Sequence, residues 1–248
     1  MVALTIDKGN TCCKTSVWQG GELRERVITD HLSVESVTPL IEKWNPEWCA
    51  LSCVGHLDAR FVESLRLMFP LKLIVVTAFV DLPFKIDYES KKTLGSDRIA
   101  AAAAAREMAD DEGCLVVDAG TAITLDVVSR KGDFKGGNIS PGISLRFKSL
   151  HSFTHKLPMV TYEGELPRFG KDTETAIRSG VIYGVRDEIV ESYRSAKSLY
   201  DIKEIIMTGG DAATLAPLLK ESEIPVRVEK NLVSKGLLVI LDYNMRLR

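Results

Sequence analysis

The chain has 248 residues, of which 45% are hydrophobic and 27% are charged, a balance that is ordinary for a globular protein of this size. Its formal net charge of -2 excludes the strongly basic surface that nucleic-acid-binding proteins carry, and no stretch is long and apolar enough to cross a membrane. We therefore expect neither a nucleic-acid partner nor membrane insertion. The 5 cysteines show no pairing pattern, which favours reduced thiols in a cytoplasmic protein over the alternative of a metal site.

The first part of the chain is predicted to follow the order βββαβαβ, because apolar residues switch between strand and helix spacing. An irregular stretch with Pro83 follows, and a helix then runs from Gly95 to Ala109, including an unbroken run of alanines at positions 100–105. The predicted strands are 2–6, 11–19, 23–28, 49–54 and 71–76, and the predicted helices before the alanine run are 34–44 and 59–68.

The second part restarts with three strands, which repeats the opening pattern and predicts two similar α/β lobes, 1–112 and 113–248. A loop is expected at 157–170, ahead of a long helix. The predicted strands are 115–117, 123–128, 134–139, 205–207 and 226–228, and the predicted helices are a short one from 141, then 173–199, 212–220 and 232–245.

The N-terminal strand leads into the turn Asp7-Lys8-Gly9-Asn10-Thr11. A glycine turn after a strand lets backbone N–H groups and short hydroxyls approach phosphate oxygens, and its aspartate can hold a cation against them. Lys14 on the next strand can reach a phosphate as a point charge or lie in solvent. The same residue types also suit an ordinary β-turn, so this motif alone leaves both interpretations open.

Two further turns change the balance between these interpretations. Asp118-Ala119-Gly120-Thr121 repeats the strand–Asp–x–Gly design about half a chain later. Thr208-Gly209-Gly210-Asp211 lies between a strand and a helix, where a glycine pair lets backbone pass close to a flat ligand. Each turn alone also fits a plain connection. Together, in this order, they predict a nucleotide site with one phosphate turn from each half of the chain.

Five stretches that span nearly the whole chain carry a resemblance to a known family: Asp7-Lys8-Gly9-Asn10-Thr11, Gly95-Ser96-Asp97-Arg98, Asp118-Ala119-Gly120-Thr121-Ala122, Gly136-Gly137-Asn138-Ile139-Ser140-Pro141-Gly142 and Thr208-Gly209-Gly210-Asp211. Their arrangement resembles the actin, Hsp70 and sugar-kinase superfold, which has two similar ribonuclease H-like lobes with the nucleotide in the cleft. Within that superfold the chain is similar to type III pantothenate kinases. The resemblance implies ATP-dependent phosphorylation of pantothenate to 4′-phosphopantothenate, the first step of coenzyme A biosynthesis.

The resemblance implies that Asp97 is the base that accepts the proton of the substrate hydroxyl. From the residue pattern alone, Ser96 or Asp97 can instead cap the helix that begins there. The resemblance places the carboxylate of pantothenate near Arg98, whose guanidinium fork suits such a group. The alternative for Arg98 is a surface ion pair with Glu89 or Asp87.

Further substrate contacts are implied for Gly95, Ser96, Tyr88 and Thr173. Tyr88 can instead be a core or rim aromatic residue, and Thr173 or its neighbour Asp172 can be a helix N-cap. The resemblance implies that Thr173 meets pantothenate across a homodimer interface. The long helix from Thr173 and the alanine helix are the two candidates for that interface.

The implied cofactors are ATP, Mg²⁺ and a monovalent cation, K⁺ or NH₄⁺. Asp7 resembles the magnesium-associated aspartate of the family, and Asp118 resembles the ligand of the monovalent ion. The residues implied to bind the nucleotide are Asp7, Lys8, Gly9, Asn10, Thr11, Lys14, Gly120, Thr121, Gly209 and Gly210.

Two rival functions stay open: a kinase of another small alcohol such as a sugar, and a non-catalytic regulatory relative that binds ATP. A sugar site generally uses several acidic and amide side chains, whereas one Asp-Arg pair precedes the second turn here. A regulatory relative is expected to have lost Asp97 or Asp118, and both are present. Lys8 has no explanation in the sequence, and His151 and His155 have no third ligand that would make a metal site.

Overall fold

The computed structural model describes residues Met1 to Arg248, which form two compact units. The first unit comprises 1–110, 132–135 and 231–248, and the second comprises 111–131 and 136–230. This division differs from the predicted lobes, 1–112 and 113–248, because two later segments group with the first unit. No helix combines the length and the apolar character that a membrane span requires.

The elements follow the predicted order, with ends that differ by a few residues at most. In chain order, the first half contains β1 (Val2–Lys8), β2 (Cys13–Gln19), β3 (Glu22–Thr29), α1 (Val34–Trp44), β4 (Trp48–Cys53), α2 (Ala59–Met68), β5 (Leu73–Val75), one 3₁₀ turn (Lys91–Thr93) and α3 (Ser96–Met108). The rest contains β6 (Cys114–Ala119), β7 (Ala122–Val128), β8 (Phe134–Pro141), α4 (Ile143–Ser152), α5 (Thr173–Tyr200), β9 (Glu204–Thr208), α6 (Ala212–Lys220), β10 (Val226–Val228) and α7 (Leu232–Arg246).

The two sheets have the same topology, which confirms the repeat that the sequence predicts. The first has the strand order β3-β2-β1-β4-β5, and the second has the order β10-β9-β6-β7-β8. In each, the first strand of the unit pairs antiparallel with the next strand and parallel with the fourth. The carboxyl end of that first strand carries Asp7 in one sheet and Asp118 in the other.

The sheet of the first unit is apolar on one face and small or polar on the other. Leu4 and Ile6 of β1 are fully buried in a cluster with residues of α1 and α2, because alternate side chains of a strand share one face. The opposite face presents Ala3, Thr5 and Asp7, which are also buried. Small side chains on that face leave room for helices to approach closely.

Helix α3 packs against α7 at backbone distance, and this contact explains why the C-terminal helix belongs to the first unit. A Cβ atom at Gly236 would lie 1.6 Å from the carbonyl oxygen of Ala100. All six alanines at 100–105 are buried. The hypothesis that the alanine helix forms a homodimer interface is therefore wrong, because its small side chains are used within the unit.

The segment 132–135 joins the first unit through Phe134. Its N–H group donates to the carbonyl of Lys85 over 3.0 Å, and its carbonyl accepts from the N–H of Asp87 over 2.9 Å. Gly132 lies against Arg106 of α3, where an added Cβ would come within 2.3 Å of Nε. These contacts hold the segment beside the stretch that precedes α3.

Helix α5 buries one side against the second sheet and exposes a stripe of small residues on another. Val185 and Ile189 are fully buried in a cluster with sheet residues such as Val117. Gly180 and Gly184 are exposed, and no other part of the chain lies within 4 Å of a Cβ placed on either glycine. This helix keeps an open face.

Candidate active site

Asp7 lies at the carboxyl end of β1, between two polar residues of the neighbouring strands. It is paired with Lys14 of β2 and with Ser52 of β4. Residues in direct register share one face of a sheet, so the three side chains are neighbours on the polar face. Asp7 is 6% exposed, and a buried carboxylate is retained where charge or hydrogen bonding compensates it.

The first turn of α3 places a carboxylate back over the helix start. Gly95 is the N-cap residue, so neither Ser96 nor Asp97 occupies the position that the helix-cap alternative predicted. The Oδ1 atom of Asp97 accepts the N–H of Arg98 over 2.9 Å. A Cβ on Gly95 would lie 2.3 Å from this oxygen, so glycine is what leaves space for the carboxylate.

The hydroxyl of Ser96 points at β4. It lies 2.9 Å from the hydroxyl of Ser52, accepts the N–H of Cys53 over 3.0 Å, and is 3.2 Å from the carbonyl of Cys53. Both serines are buried. The start of α3 is thus attached to the end of the strand that lies next to Asp7.

Arg98 is buried, with two aromatic rings beside its guanidinium. Its guanidinium carbon lies 5.7 Å from the ring centre of Tyr88 and 5.8 Å from that of Phe134, within the range of cation–π attraction. The two rings meet edge to face. Asp87, one alternative partner for Arg98, pairs instead with Lys135 at 3.2 Å. Tyr88 therefore lies beside Arg98, and neither this contact nor the contact of Phe134 with Arg98 was predicted.

The first phosphate turn is closed by a hydrogen bond of 3.0 Å from the N–H of Gly9 to the carbonyl of Cys12. Asn10 and Thr11 are exposed at its tip, where a ligand can reach them. The ammonium of Lys8 donates to the carbonyl of His56, in the loop after β4. Lys8 thus ties β1 to that loop, which explains a residue that the sequence left unexplained.

Asp118 lies at the end of β6, between Thr124 of β7 and Thr208 of β9. The two glycine turns of the second unit meet at this carboxylate. A Cβ at Gly209, whose φ is 95°, would lie 2.6 Å from Oδ1 of Asp118, and one at Gly120 would lie 3.6 Å away. The structure therefore brings the predicted residues Asp118, Gly120 and Gly209 together.

The third turn is held to β6 by a hydrogen bond of 2.9 Å from the N–H of Asp211 to the carbonyl of Ala119. Gly210, at its tip, is exposed, and an added Cβ would meet no atom within 4 Å. Burial raises the pKa of the Asp211 carboxyl above its usual value. Gly210 thus presents open backbone, as expected for a turn that lies against a flat ligand.

Thr173 begins α5 beside a cavity of about 790 Å³ that is also lined by Lys156 and Arg178. The N-cap is Asp172, which accepts the N–H of Thr175 over 2.9 Å and completes a capping box with it. Thr173 is exposed and does not fill the cap, so its hydroxyl is available to a ligand. The buried Arg178 donates hydrogen bonds to the carbonyls of Thr161 and Glu165, over 3.0 Å and 3.1 Å. These bonds hold the loop that precedes α5.

A sequence model of a known family, type III pantothenate kinase, matches residues 3–195. The type III pantothenate kinase of Bacteroides fragilis strain YCH46 is 37% identical over 241 residues, covering 97% of this chain and 98% of the relative. The chain belongs to the type III pantothenate kinase family. This confirms the family that the five sequence stretches indicated.

Solved structures agree with the fold of this type III pantothenate kinase family member. A Campylobacter jejuni protein assigned to the Baf family of transcriptional activators has a TM-score of 0.65 at 23% identity, covering 98% of this chain and 99% of the other. The ROK hexokinase of Thermus thermophilus has a TM-score of 0.52 at 15% identity and covers 100% of both chains. Because these identities are low, the likeness concerns the fold alone, and it confirms the predicted sugar-kinase superfold.

Proposed function

We propose that this chain transfers the γ-phosphate of ATP to the primary hydroxyl of pantothenate, giving 4′-phosphopantothenate for coenzyme A biosynthesis. The observation that carries the proposal is the first turn of α3, where Asp97 and Arg98 stand side by side in a member of this family. A hydroxyl that attacks phosphorus needs a proton acceptor, and an acid substrate needs a cation. The pair supplies both groups within one turn of helix.

Asp97 is the catalytic residue in this proposal. One of its carboxylate oxygens accepts a backbone N–H and is fixed by it, which leaves the other to accept the proton of the hydroxyl. The transition state of phosphoryl transfer is loose, so the orientation of the hydroxyl matters more than the strength of the base. A carboxylate that is held in one place at a helix start suits this role.

Substitution of Gly95 by alanine tests whether the location of that carboxylate matters. The new methyl group would collide with Oδ1 of Asp97, and the flexible side chain is expected to rotate away while the helix stays folded. We expect kcat to fall by at least about tenfold with little change in thermal stability, because misplacement of a reacting group is costly. Steady-state kinetics and thermal melting measure the two effects. An unchanged kcat would show that this location of Asp97 is not required.

Arg98 is proposed to bind the carboxylate of pantothenate. The rings of Tyr88 and Phe134 lie beside its buried guanidinium, and a planar group held in this way loses little freedom when it forms a paired contact. Tyr88 is proposed to contact the substrate beside it. This recognition of an acid is the feature that favours pantothenate over a sugar.

The glycine turns are proposed to bind ATP, with Gly9 and Thr11 of the first unit and Gly120 and Thr121 of the second at the phosphates, and Gly210 at the adenosine. Mg²⁺ and a monovalent cation fit the residues present. Asp7 offers the single carboxylate that Mg²⁺ commonly takes alongside substrate phosphates. The glycine at 209 leaves space beside Oδ1 of Asp118 that a Cβ would fill, and we call this space the cradle. When bound, the two cations supply neutralisation of phosphate charge.

Exchange of potassium for sodium tests the proposed monovalent site at Asp118. We expect kcat/KM for ATP to fall severalfold in sodium, because the smaller ion fits a cradle built for a larger one less well. Initial rates in matched concentrations of the two chlorides measure the effect, and Asp118→Asn should remove the difference between the salts. Equal rates of the wild-type chain in both salts would contradict the site.

We propose a homodimer that uses the open face of α5, in which Thr173 approaches the substrate of the partner. The exposed Gly180 and Gly184 support this, since small residues four apart allow helices to approach closely. Sedimentation equilibrium is expected to give about twice the chain mass of 27.4 kDa. A monomer at assay concentration would contradict the proposal.

A cytoplasmic location is supported by the state of the thiols. All five cysteines are free, and burial raises the pKa of Cys49 and Cys114 above the usual range, which makes both poorly reactive. Free thiols are typical of reducing compartments. Fractionation of cells that express the chain tests this location.

Release of ADP tests the proposed reaction directly. The wild-type chain is incubated with ATP and, in turn, pantothenate, its neutral analogue in which an alcohol replaces the carboxylate, and a panel of sugars. We expect rapid release with pantothenate and much slower release with the neutral analogue, because Arg98 would lose its partner. Preference for a sugar would favour the rival kinase function, and no release with any acceptor would favour a non-catalytic relative.

A further inference from the structure

The contact between Ser96 and the end of β4 uses the whole hydrogen-bonding capacity of one hydroxyl. A serine hydroxyl has one donor and two acceptor sites. The Oγ atom of Ser96 accepts the N–H of Cys53, and it has the carbonyl of Cys53 and the hydroxyl of Ser52 as its other neighbours. If Ser96 donates to the carbonyl, Ser52 donates to Ser96, and all three sites are filled.

The strand end that receives Ser96 is itself fixed to β1. The N–H of Val54 donates to the carbonyl of Lys8 over 2.9 Å, and the ammonium of Lys8 donates to the carbonyl of His56. Ser52 is fully buried, in register with Asp7. A chain of polar contacts therefore runs from the first phosphate turn, through β4, to the residue that directly precedes Asp97.

We infer that Ser52 and Ser96 are positioning residues, which act as a pair to set Asp97 against the first phosphate turn. The Ser96 hydroxyl then bonds to β4, and it does not bind the substrate as the family resemblance implied. The inference rests on the proposed role of Asp97. Ser52 carries no functional assignment from the sequence, because nothing local marks it as different from other buried strand residues.

The expected size of the effect follows from what each substitution removes. Ser96→Ala deletes every hydrogen bond between the side chain and β4 and leaves the N–H of Cys53 without this acceptor. Ser52→Ala deletes one contact and leaves the two to Cys53. Because a displacement of about 1 Å can cost about 100-fold in rate, we expect kcat to fall about 100-fold in the first variant and about tenfold in the second.

The experiment compares Ser52→Ala, Ser96→Ala and the double variant with a matched control, Ser16→Ala. Ser16 is as fully buried as Ser52 in the same sheet, where its Oγ accepts the Nε–H of Arg26 over 3.3 Å. We expect the double variant to be no slower than Ser96→Ala, since the two hydroxyls act as a unit. KM for ATP should stay within about twofold of wild type, and Ser16→Ala should keep wild-type kcat.

A second measurement reports the helix start without any turnover. The amide of Ile99 makes the first hydrogen bond of the helix, to the carbonyl of Gly95 over 3.2 Å. Its hydrogen exchange should quicken in Ser52→Ala and Ser96→Ala and stay unchanged in Ser16→Ala. If the wild-type chain did not phosphorylate pantothenate, the proposed function would fail while this readout still tested the attachment.

Three results would overturn the inference. Wild-type kcat in Ser52→Ala would show that the pair does not place Asp97. A raised KM for pantothenate in Ser96→Ala, with a normal KM in Ser52→Ala, would indicate that the Ser96 hydroxyl binds the substrate. Equal losses of kcat, or equal gains in exchange at Ile99, in Ser52→Ala and Ser16→Ala would indicate general loosening of the sheet.

Discussion

Replacement of Asp97 by asparagine is expected to lower kcat for pantothenate phosphorylation by about 10²–10⁴-fold, while the affinity for ATP stays within about twofold. The amide keeps the size of the side chain and can still accept the N–H of Arg98, so the helix start should remain intact. What is lost is the oxygen that accepts the proton of the hydroxyl. Coupled ADP release measures turnover, and titration calorimetry measures ATP binding.

The matched control for this substitution is Asp87→Asn. Asp87 is an exposed carboxylate of the same unit, in an ion pair with Lys135 that is worth little to stability. We expect its kcat to match that of wild type. Full turnover in Asp97→Asn would remove Asp97 as the base, and equal losses in the two variants would show that charge in this region matters more than the identity of the base.

The helices were predicted well because residues next to their ends determine where they begin. The helix at 34–44 begins after Ser33 and the helix at 59–68 begins after Asp58, and both side chains accept the backbone N–H groups that a helix start leaves open. Strand ends were predicted less well. β1 continues to Lys8 because that residue pairs with Cys13 on one side and Cys53 on the other, and such pairing depends on distant parts of the chain.

In the candidate site, too, features that depend on neighbouring residues were easier to predict than features that depend on distant ones. The proposed site residues that follow one another, such as Asp97 and Arg98, could be predicted because they belong to one short motif. The contacts of Ser52 with Ser96 and of Phe134 with Arg98 were not predicted, since each residue is distant in sequence and looks like an ordinary buried strand residue. Lys8 was noticed but not explained, because its partner is a backbone carbonyl in another loop.

The run of alanines predicted a close helix contact but not the partner in that contact. The sequence predicted a helix that another backbone approaches closely, and this is confirmed by the contact between Ala100 and Gly236. The identity of the approaching backbone was not predicted, because small residues favour a close approach by any helix. In the structure the approaching backbone is that of α7, the C-terminal helix of the same chain, and the close contact is made at Gly236.

Substitution of Gly236 by alanine is expected to have the largest effect on stability of any single methyl addition at a helical glycine of this chain. The added carbon would lie 1.6 Å from the carbonyl oxygen of Ala100 and 2.3 Å from its carbonyl carbon, so α3 and α7 must separate. Overpacking of this kind costs about 1–3 kcal/mol. For a chain of this length we expect the melting temperature to fall by about 2–12 °C. Calorimetry measures this loss.

The control is the same exchange at Gly180, where no atom beyond the adjoining helix backbone lies within 4 Å of the new methyl group. At a dilution where the chain is monomeric, alanine there should be neutral or stabilise the helix by up to about 1 kcal/mol. Because Asp97 lies less than one turn before Ala100 on α3, Gly236→Ala should also lower kcat at temperatures well below its melting point. A variant as stable and active as wild type would mean that the two helices separate without cost, and that their close contact does not fix the helix on which catalysis depends.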